Sequence, residues 1–226
     1  MRRFLVPDLD GDTVDLPVDE ARHALRVLRL RIGDALILVD GQGGWAEAVI
    51  EVVDGKRVRC AITARTVCPP PTAAALTLAV AAPKGGRFDD LVRAVTECGV
   101  GRIVPLRCAR VSRVPDAARA LRVACEAIKQ CGRCDLPEFG PVWDIDTLVR
   151  RPEPCIIADP QGAAPCPGPR RPTILVIGPE GGFTDQERER LLAKGTAVRL
   201  ADTILRIETA AVAACAVWTA YWEHHG

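Results

Sequence analysis

The run Cys68-Pro69-Pro70-Pro71-Thr72 divides this chain in two. Three consecutive prolines remove three backbone donors and push the preceding residues into extended conformations, so no helix or central strand runs through them. The sequence on either side follows different rules. Before the break, short β-type runs over 35–39, 45–53 and 58–64 alternate with the turn signals Asp40-Gly41-Gln42-Gly43-Gly44 and Asp54-Gly55. Asp-Gly between two such runs marks a hairpin. The pattern predicts a small β-barrel over 1–71, with a short helix ahead of its main strands carrying Arg22, Arg26 and Arg29. At spacing i, i+4 and i+7 a helix places all three on one face, suited either to solvent or to RNA phosphates.

Beyond the break, strands are expected over 76–82, 102–106, 155–159, 173–178 and 197–200. Helices are expected over 87–97, 116–130, 185–194 and 208–222. Such β-α alternation predicts an α/β domain over 72–226 with a parallel sheet covered on both faces. The Pro/Gly-rich connection 160–172 is long for a compact domain and reads as a mobile loop. Within this half, Ile174-Leu175-Val176-Ile177 is a buried strand that stops at Gly178-Pro179-Glu180-Gly181-Gly182-Phe183. Thr184 and Glu187 then form a capping box for the next helix. A glycine turn between a strand and a helix N-terminus lets a ligand approach the backbone. It lacks the Lys-Ser/Thr of a nucleotide-triphosphate loop, which disfavours a nucleotide-binding module.

Composition narrows the class. Hydrophobic residues make up 48% and charged residues 26%, as in an ordinary globular protein. No apolar run approaches the ~20 residues of a membrane span, and the stretch after Arg2-Arg3 is too short for a secretory core. A cytoplasmic protein without a membrane partner is expected, its ten cysteines reduced. Cys131-Gly132-Arg133-Cys134 lacks the further ligands of a zinc site, so no metal is expected. Lys and Arg outnumber Asp and Glu over 84–133, a balance that suits phosphate contacts or a solvated helix face.

Five ordered segments carry a resemblance. They are His23-Ala24-Leu25-Arg26-Val27-Leu28-Arg29-Leu30 with Gly33-Asp34; Pro83-Lys84-Gly85; Thr96-Glu97-Cys98-Gly99-Val100 with Arg102-Ile103-Val104-Pro105-Leu106; Glu126-x-x-x-Gln130-Cys131-Gly132-Arg133; and the glycine turn followed by Leu200-Ala201-x-x-Ile204-Leu205-Arg206-x-Glu208-Thr209-Ala210-Ala211. Together they resemble the RsmE family of the SPOUT superfamily, which methylates N3 of a uridine in small-subunit (16S) ribosomal RNA. The resemblance implies a PUA-like β-barrel before a SPOUT domain whose final segment forms a trefoil knot. It also implies S-adenosylmethionine as methyl donor, the assembled 30S subunit as substrate, and a homodimer. A related knotted tRNA methyltransferase and a non-catalytic ribosome-assembly factor are the alternatives.

The residues implied for the donor are Ile177, Gly178, Glu180, Gly181, Gly182, Leu200, Ala201, Thr203, Leu205 and Thr209. Arg206 is the candidate for stabilising charge on the uracil, with Glu208 and Glu126 as candidate bases. Lys84 and Arg133, with Arg22, Arg26 and Arg29, are candidates for RNA, and Phe183 for holding the extruded base. One position departs from the family, which usually has Leu-Gly where this chain has Leu200-Ala201. A left-handed backbone there would strain an alanine.

Overall fold

The computed structural model describes residues 2–111 and 113–225. The chain folds as two compact units, Met1–Pro70 with Cys125–Leu136, and Pro71–Ala124 with Pro137–Gly226.

The first unit is built on strands β1 (Arg3–Leu5), β2 (Thr13–Asp15), β3 (Ala35–Val39), β4 (Gly44–Asp54) and β5 (Arg57–Val67), in the sheet order β1-β3-β4-β5-β2. β1 runs parallel to β3, and the remaining pairs are antiparallel. The expected hairpin forms one residue later than its signal. Asp54 still pairs with Arg57, so the loop is Gly55-Lys56, with Gly55 at φ 58°. β3 is apolar on both faces because it serves two clusters. Leu36 and Leu38 join Phe4, Ala46, Ile50 and Val58, while Ile37 and Val39 meet Ile128 and Cys134.

The arginine-bearing helix departs from expectation. α1 (Val18–Arg22) passes into a π-helical turn over His23–Val27 and ends at Leu28. Arg29 lies beyond that end with φ 55°. The wider turn and the left-handed residue destroy the i, i+4, i+7 register, so Arg22, Arg26 and Arg29 are exposed without forming one helical stripe.

The second unit follows in chain order: β6 (Leu76–Ala81), α2 (Arg87–Glu97), β7 (Arg102–Arg107), α3 (Ala117–Cys131), β8 (Glu138–Phe139), β9 (Trp143–Asp144), α4 (Ile145–Val149), β10 (Cys155–Ala163), β11 (Thr173–Ile177), α5 (Asp185–Lys194), β12 (Gly195–Val198) and α6 (Ile207–His225). The last turns of α3 count with the first unit. Every pairing in this sheet is parallel, in the order β12-β10-β11-β6-β7-β8 with β9 beside β7. β11 is buried along its whole length, each large side chain contributing roughly 1.5–3 kcal/mol. Its Ile174 and Val176 pack in one cluster with Leu148 of α4 and Leu191 of α5, and α6 packs on β11, β6 and α2.

β12 occupies the edge beyond β10, whereas α6 lies over the central strands. The intervening chain must therefore cross back. Arg199 N–H donates to Ala163 O at 2.8 Å, and Trp222 Nε1 donates to Gly168 O at 2.8 Å. These bonds tie the 160–172 connection to the residue after β12 and to α6. β10 extends to Ala163, so the connection is partly structured. β12 begins at Gly195 directly after α5, two residues before the expected strand. β8, β9 and α4 are too short to show a period in the sequence.

Candidate donor cavity

The glycine turn is locally determined. Buried β11 ends at Ile177, Gly182 N–H donates to Pro179 O at 2.8 Å, and Gly182 sits at φ 70°. Thr184 and Glu187 form the expected capping box, with Thr184 N–H on Glu187 Oε2 at 2.9 Å and Glu187 N–H on Thr184 Oγ at 3.2 Å. The other carboxylate oxygen of Glu187 accepts Ala109 N–H at 2.7 Å. Burial alone would raise the pKa of Glu187, but the Thr184 and Ala109 donors and nearby Arg110 hold it below the usual value. Arg110 donates to the carbonyls of Gly181 and Gly182. The turn is thus fixed from outside its own segment. Gly178 is required by closeness: a Cβ there would stand 2.7 Å from Phe183 Cε2.

Above the turn is a cavity of about 440 Å³. One wall is Ile177 with Gly178, Glu180, Gly181 and Gly182; the other is Leu200, Ala201, Thr203 and Leu205. The two motifs, about twenty residues apart in sequence, therefore face the same space. Ala201 does not have positive φ, since Arg29 alone does among the described non-glycine residues. The departure from Leu-Gly brings no backbone strain. The strand end β10 supplies a third side that sequence reasoning does not reveal, through Asp159, Pro160 and Gln161. Asp159 is pinned, accepting Arg188 Nε at 2.6 Å and Gln161 N–H at 2.8 Å.

Arg206 stands between the lining residues Leu205 and Ile207 and is itself exposed. It makes no ion pair among the described residues. Asp202 pairs with Arg199 at 3.3 Å, and Glu208 pairs with Arg87 at 3.6 Å. Arg87, at the start of α2, also pairs with Glu180 at 3.2 Å and donates to Lys84 O at 3.1 Å. It ties the glycine turn to the first turn of α6. Glu208 Oε2 is buried without a hydrogen-bond partner among the described residues. Sequence reasoning misses Arg87, because nothing local distinguishes it from the other basic residues of 84–133.

Other expected site residues lie elsewhere. Thr209 is exposed and does not line the cavity, since it falls on the opposite side of the first turn of α6 from Ile207 and Ala210. Glu126 belongs to the first unit, is exposed and pairs with Lys129 at 2.7 Å. Arg133 is only 7% exposed and grips Asp135 through two bonds of 3.0 and 2.8 Å; this bidentate pair withdraws it from solvent and hence from RNA. Phe183 is half-buried, packing on the sheet core while lining the cavity, so it is a fixed wall. Lys84 is exposed. Trp218 and Trp222 of α6 are 2% and 3% exposed and belong to the core.

Comparison with known proteins follows the same division. Residues 70–219 match the RNA methyltransferase domain family, and residues 16–63 match the RNA methyltransferase PUA domain. Ribosomal RNA small subunit methyltransferase E from Synechocystis is 32% identical, covering 93% of this chain and 74% of the relative. The protein of that name from Mycobacterium bovis is 31% identical over 91% of this chain and 86% of its own. Among solved structures, ribosomal RNA small subunit methyltransferase E from Neisseria gonorrhoeae bound to S-adenosyl methionine superposes with a TM-score of 0.87 at 30% identity, covering 98% of both chains.

Proposed function

This chain belongs to the ribosomal RNA small subunit methyltransferase E family, and from that premise we propose that it methylates N3 of a uridine in small-subunit ribosomal RNA, with S-adenosylmethionine as donor. The observation that carries the reading is the single cavity bounded by both motif segments. Its volume of about 440 Å³ fits the ~300–1,000 Å³ of small-molecule sites. Ile177, Leu205 and Pro179 offer apolar walls, while the turns at 178–182 and 200–205 offer backbone polar groups, a combination suited to an adenosine. When bound, the donor supplies an electrophilic methyl group on a sulfonium.

The chain's own residues must then handle a proton and a charge. Uridine N3 carries a hydrogen and becomes nucleophilic only as that hydrogen leaves. Arg206, exposed between two lining residues and without an ion pair among the described residues, is the group we assign to stabilising the developing imide anion. Glu208, in the first turn of α6 two residues after Arg206, is the carboxylate we assign to take the proton. General-base assistance of this kind is typically worth ~10²–10⁴-fold. The cavity walls on either side fix the donor, so alignment adds to this effect.

The assembled 30S subunit as substrate and a homodimer as active species belong to the same proposal and rest on the family. Incubating small subunits, their naked RNA, or tRNA with the protein and methyl-labelled S-adenosylmethionine, then analysing nucleosides by mass spectrometry, tests the reading. Label in 3-methyluridine, strongest with assembled subunits, is expected. Label on tRNA, on ribose or on another base atom contradicts it. Sedimentation at micromolar protein checks the dimer, and an active monomer removes it.

A further inference from the structure

Cys134, the second cysteine of the C-x-x-C at Cys131-Gly132-Arg133-Cys134, has a partner far away in sequence. Its Sγ lies 2.6 Å from Sγ of Cys68, 66 residues earlier and in the same unit. A disulfide needs side chains that converge to ~2.05 Å between sulfurs, and this pair already converges. The backbone holds it there. Gly43 N–H donates to Cys134 O at 3.1 Å, and Cys68 N–H donates to Gly43 O at 2.8 Å, so one glycine of the turn 40–44 fixes both cysteines. Beyond Cys134, Leu136 N–H donates to Gly41 O at 2.8 Å, and Arg133 grips Asp135 across Cys134. Both sulfurs sit in the small apolar cluster of Ile37, Val39 and Ile128.

The two thiols differ in access. Cys134 is 4% exposed, whereas Cys68 is half-buried. Burial first, and then the Cys68 thiol beside it, push the Cys134 pKa up to about 12, so Cys134 rests as an inert thiol. A reagent from solution therefore meets Cys68 first. Each cysteine also lies two residues before a point where the chain leaves the first unit, after Pro70 and after Leu136.

We propose that Cys68 and Cys134 form a reversible disulfide that staples the end of β5 to the segment after α3, with a low-molecular-weight disulfide as oxidant. The Cys68 thiolate attacks one sulfur of the oxidant, giving a mixed disulfide and one small thiolate. Cys134, once deprotonated, attacks Cys68 Sγ, closes the protein bond and expels the second small thiolate. Two protein thiols are oxidised, one small disulfide is reduced to two thiols, and these carry both protons away. The second step is intramolecular, so burial of Cys134 does not block it. Two other roles compete: both thiols act only as apolar filling of their cluster, or the exposed Cys131 pairs with Cys134 instead.

Incubating the full chain with oxidised glutathione, then digesting it without reduction and mapping the peptides by mass spectrometry, distinguishes these roles. A Cys68–Cys134 linked peptide is expected, forming at least about tenfold faster in native than in denatured protein because the fold aligns the sulfurs. The linked protein should melt roughly 5–10 °C higher, and dithiothreitol should reverse both changes. Cys134→Ala is expected to stop at a glutathione mixed disulfide on Cys68, whereas Cys68→Ser should leave Cys134 as a free thiol. Free thiols at both positions in the wild type overturn the proposal, as does a Cys131–Cys134 link. A link that forms equally fast in denatured protein, or leaves the melting temperature unchanged, also overturns it.

Discussion

The donor cavity and an arginine cleft of the first unit, lined by Arg2, Arg3, His23, Glu126, Lys129 and Gly132, are built on opposite plans. Two contiguous segments make most of the cavity, which works largely through backbone and apolar walls. Four of the charged residues that line it are engaged in ion pairs: Glu180 with Arg87, Asp159 with Arg188, and Arg199 with Asp202. The cleft draws on residues more than a hundred positions apart, and it leaves a buried guanidinium nitrogen unpaired among the described residues. A site that must hold a flat, neutral adenine ring gains from a fixed backbone and apolar walls.

The largest effect that sharpens this contrast is expected at Arg206, which stands beside the cavity with no ion pair among the described residues. Arg206→Ala should lower single-turnover methyl transfer roughly 10²–10³-fold, or ~2.7–4 kcal/mol, with little change in donor affinity. Lys should rescue only partly. Weakened S-adenosylhomocysteine binding with an unchanged transfer rate would instead make Arg206 a loop anchor, although its acidic neighbours in sequence, Asp202 and Glu208, pair with Arg199 and Arg87.

Arg87 comes next. Arg87→Ala releases both the glycine turn and Glu208, but its pairs are partly exposed and long, so each is worth at most about 1 kcal/mol. Donor affinity measured by calorimetry is expected to fall about fivefold, corresponding to ~1 kcal/mol. No loss would mean that the turn is held by Arg110 and the capping box alone. Ala201→Gly is expected to change donor affinity by less than about threefold, since Ala201 is unstrained and only backbone entropy differs. A large gain would reveal a steric demand at that wall.

The smallest effect lies in the first unit and depends on pH. Hydrogen bonds from Arg57 and Arg59 lower the pKa of Asp15 to about 2. A lowered folded-state pKa stabilises above the ordinary carboxylate range, and that contribution is lost as pH falls from about 4 toward 2. Because the pair is exposed, Asp15→Asn should lower the melting temperature at pH 7 by only about 1–3 °C. The difference should vanish near pH 2. A difference that persists there would assign the loss to packing rather than charge.

How much is legible in the sequence follows from the same contrast. The capping box at Thr184 and Glu187, the buried strand before the glycine turn and the break after Cys68 are local, and each is governed by a few adjacent residues. The expected donor residues from Ile177 to Leu205 line the cavity because their motifs are contiguous; Thr209 falls outside it by one face of a helical turn. Arg29 departs from its expected place because a π-turn and a left-handed residue replace regular helix, which periodicity does not detect. Arg133 is withdrawn from RNA because its partner Asp135 sits two residues away in a conformation set by the surrounding fold. Arg87, Arg110 and Asp159 reach the cavity and its glycine turn through tertiary packing, so their sequence neighbours carry no sign of it.

If the glycine-turn cavity holds the methyl donor independently of the arginine cleft, the two sites must separate in a direct titration. S-adenosylmethionine is titrated by calorimetry into the full chain as wild type, Gly178→Val and Arg3→Gln. A side chain at 178 meets Phe183, which stands 2.7 Å from even a Cβ there. Saturable binding to wild type and wild-type affinity in Arg3→Gln are expected, with at least a hundredfold loss, ~2.7 kcal/mol, in Gly178→Val while the protein remains folded. Undiminished binding to Gly178→Val, or no binding to wild type, would contradict this assignment.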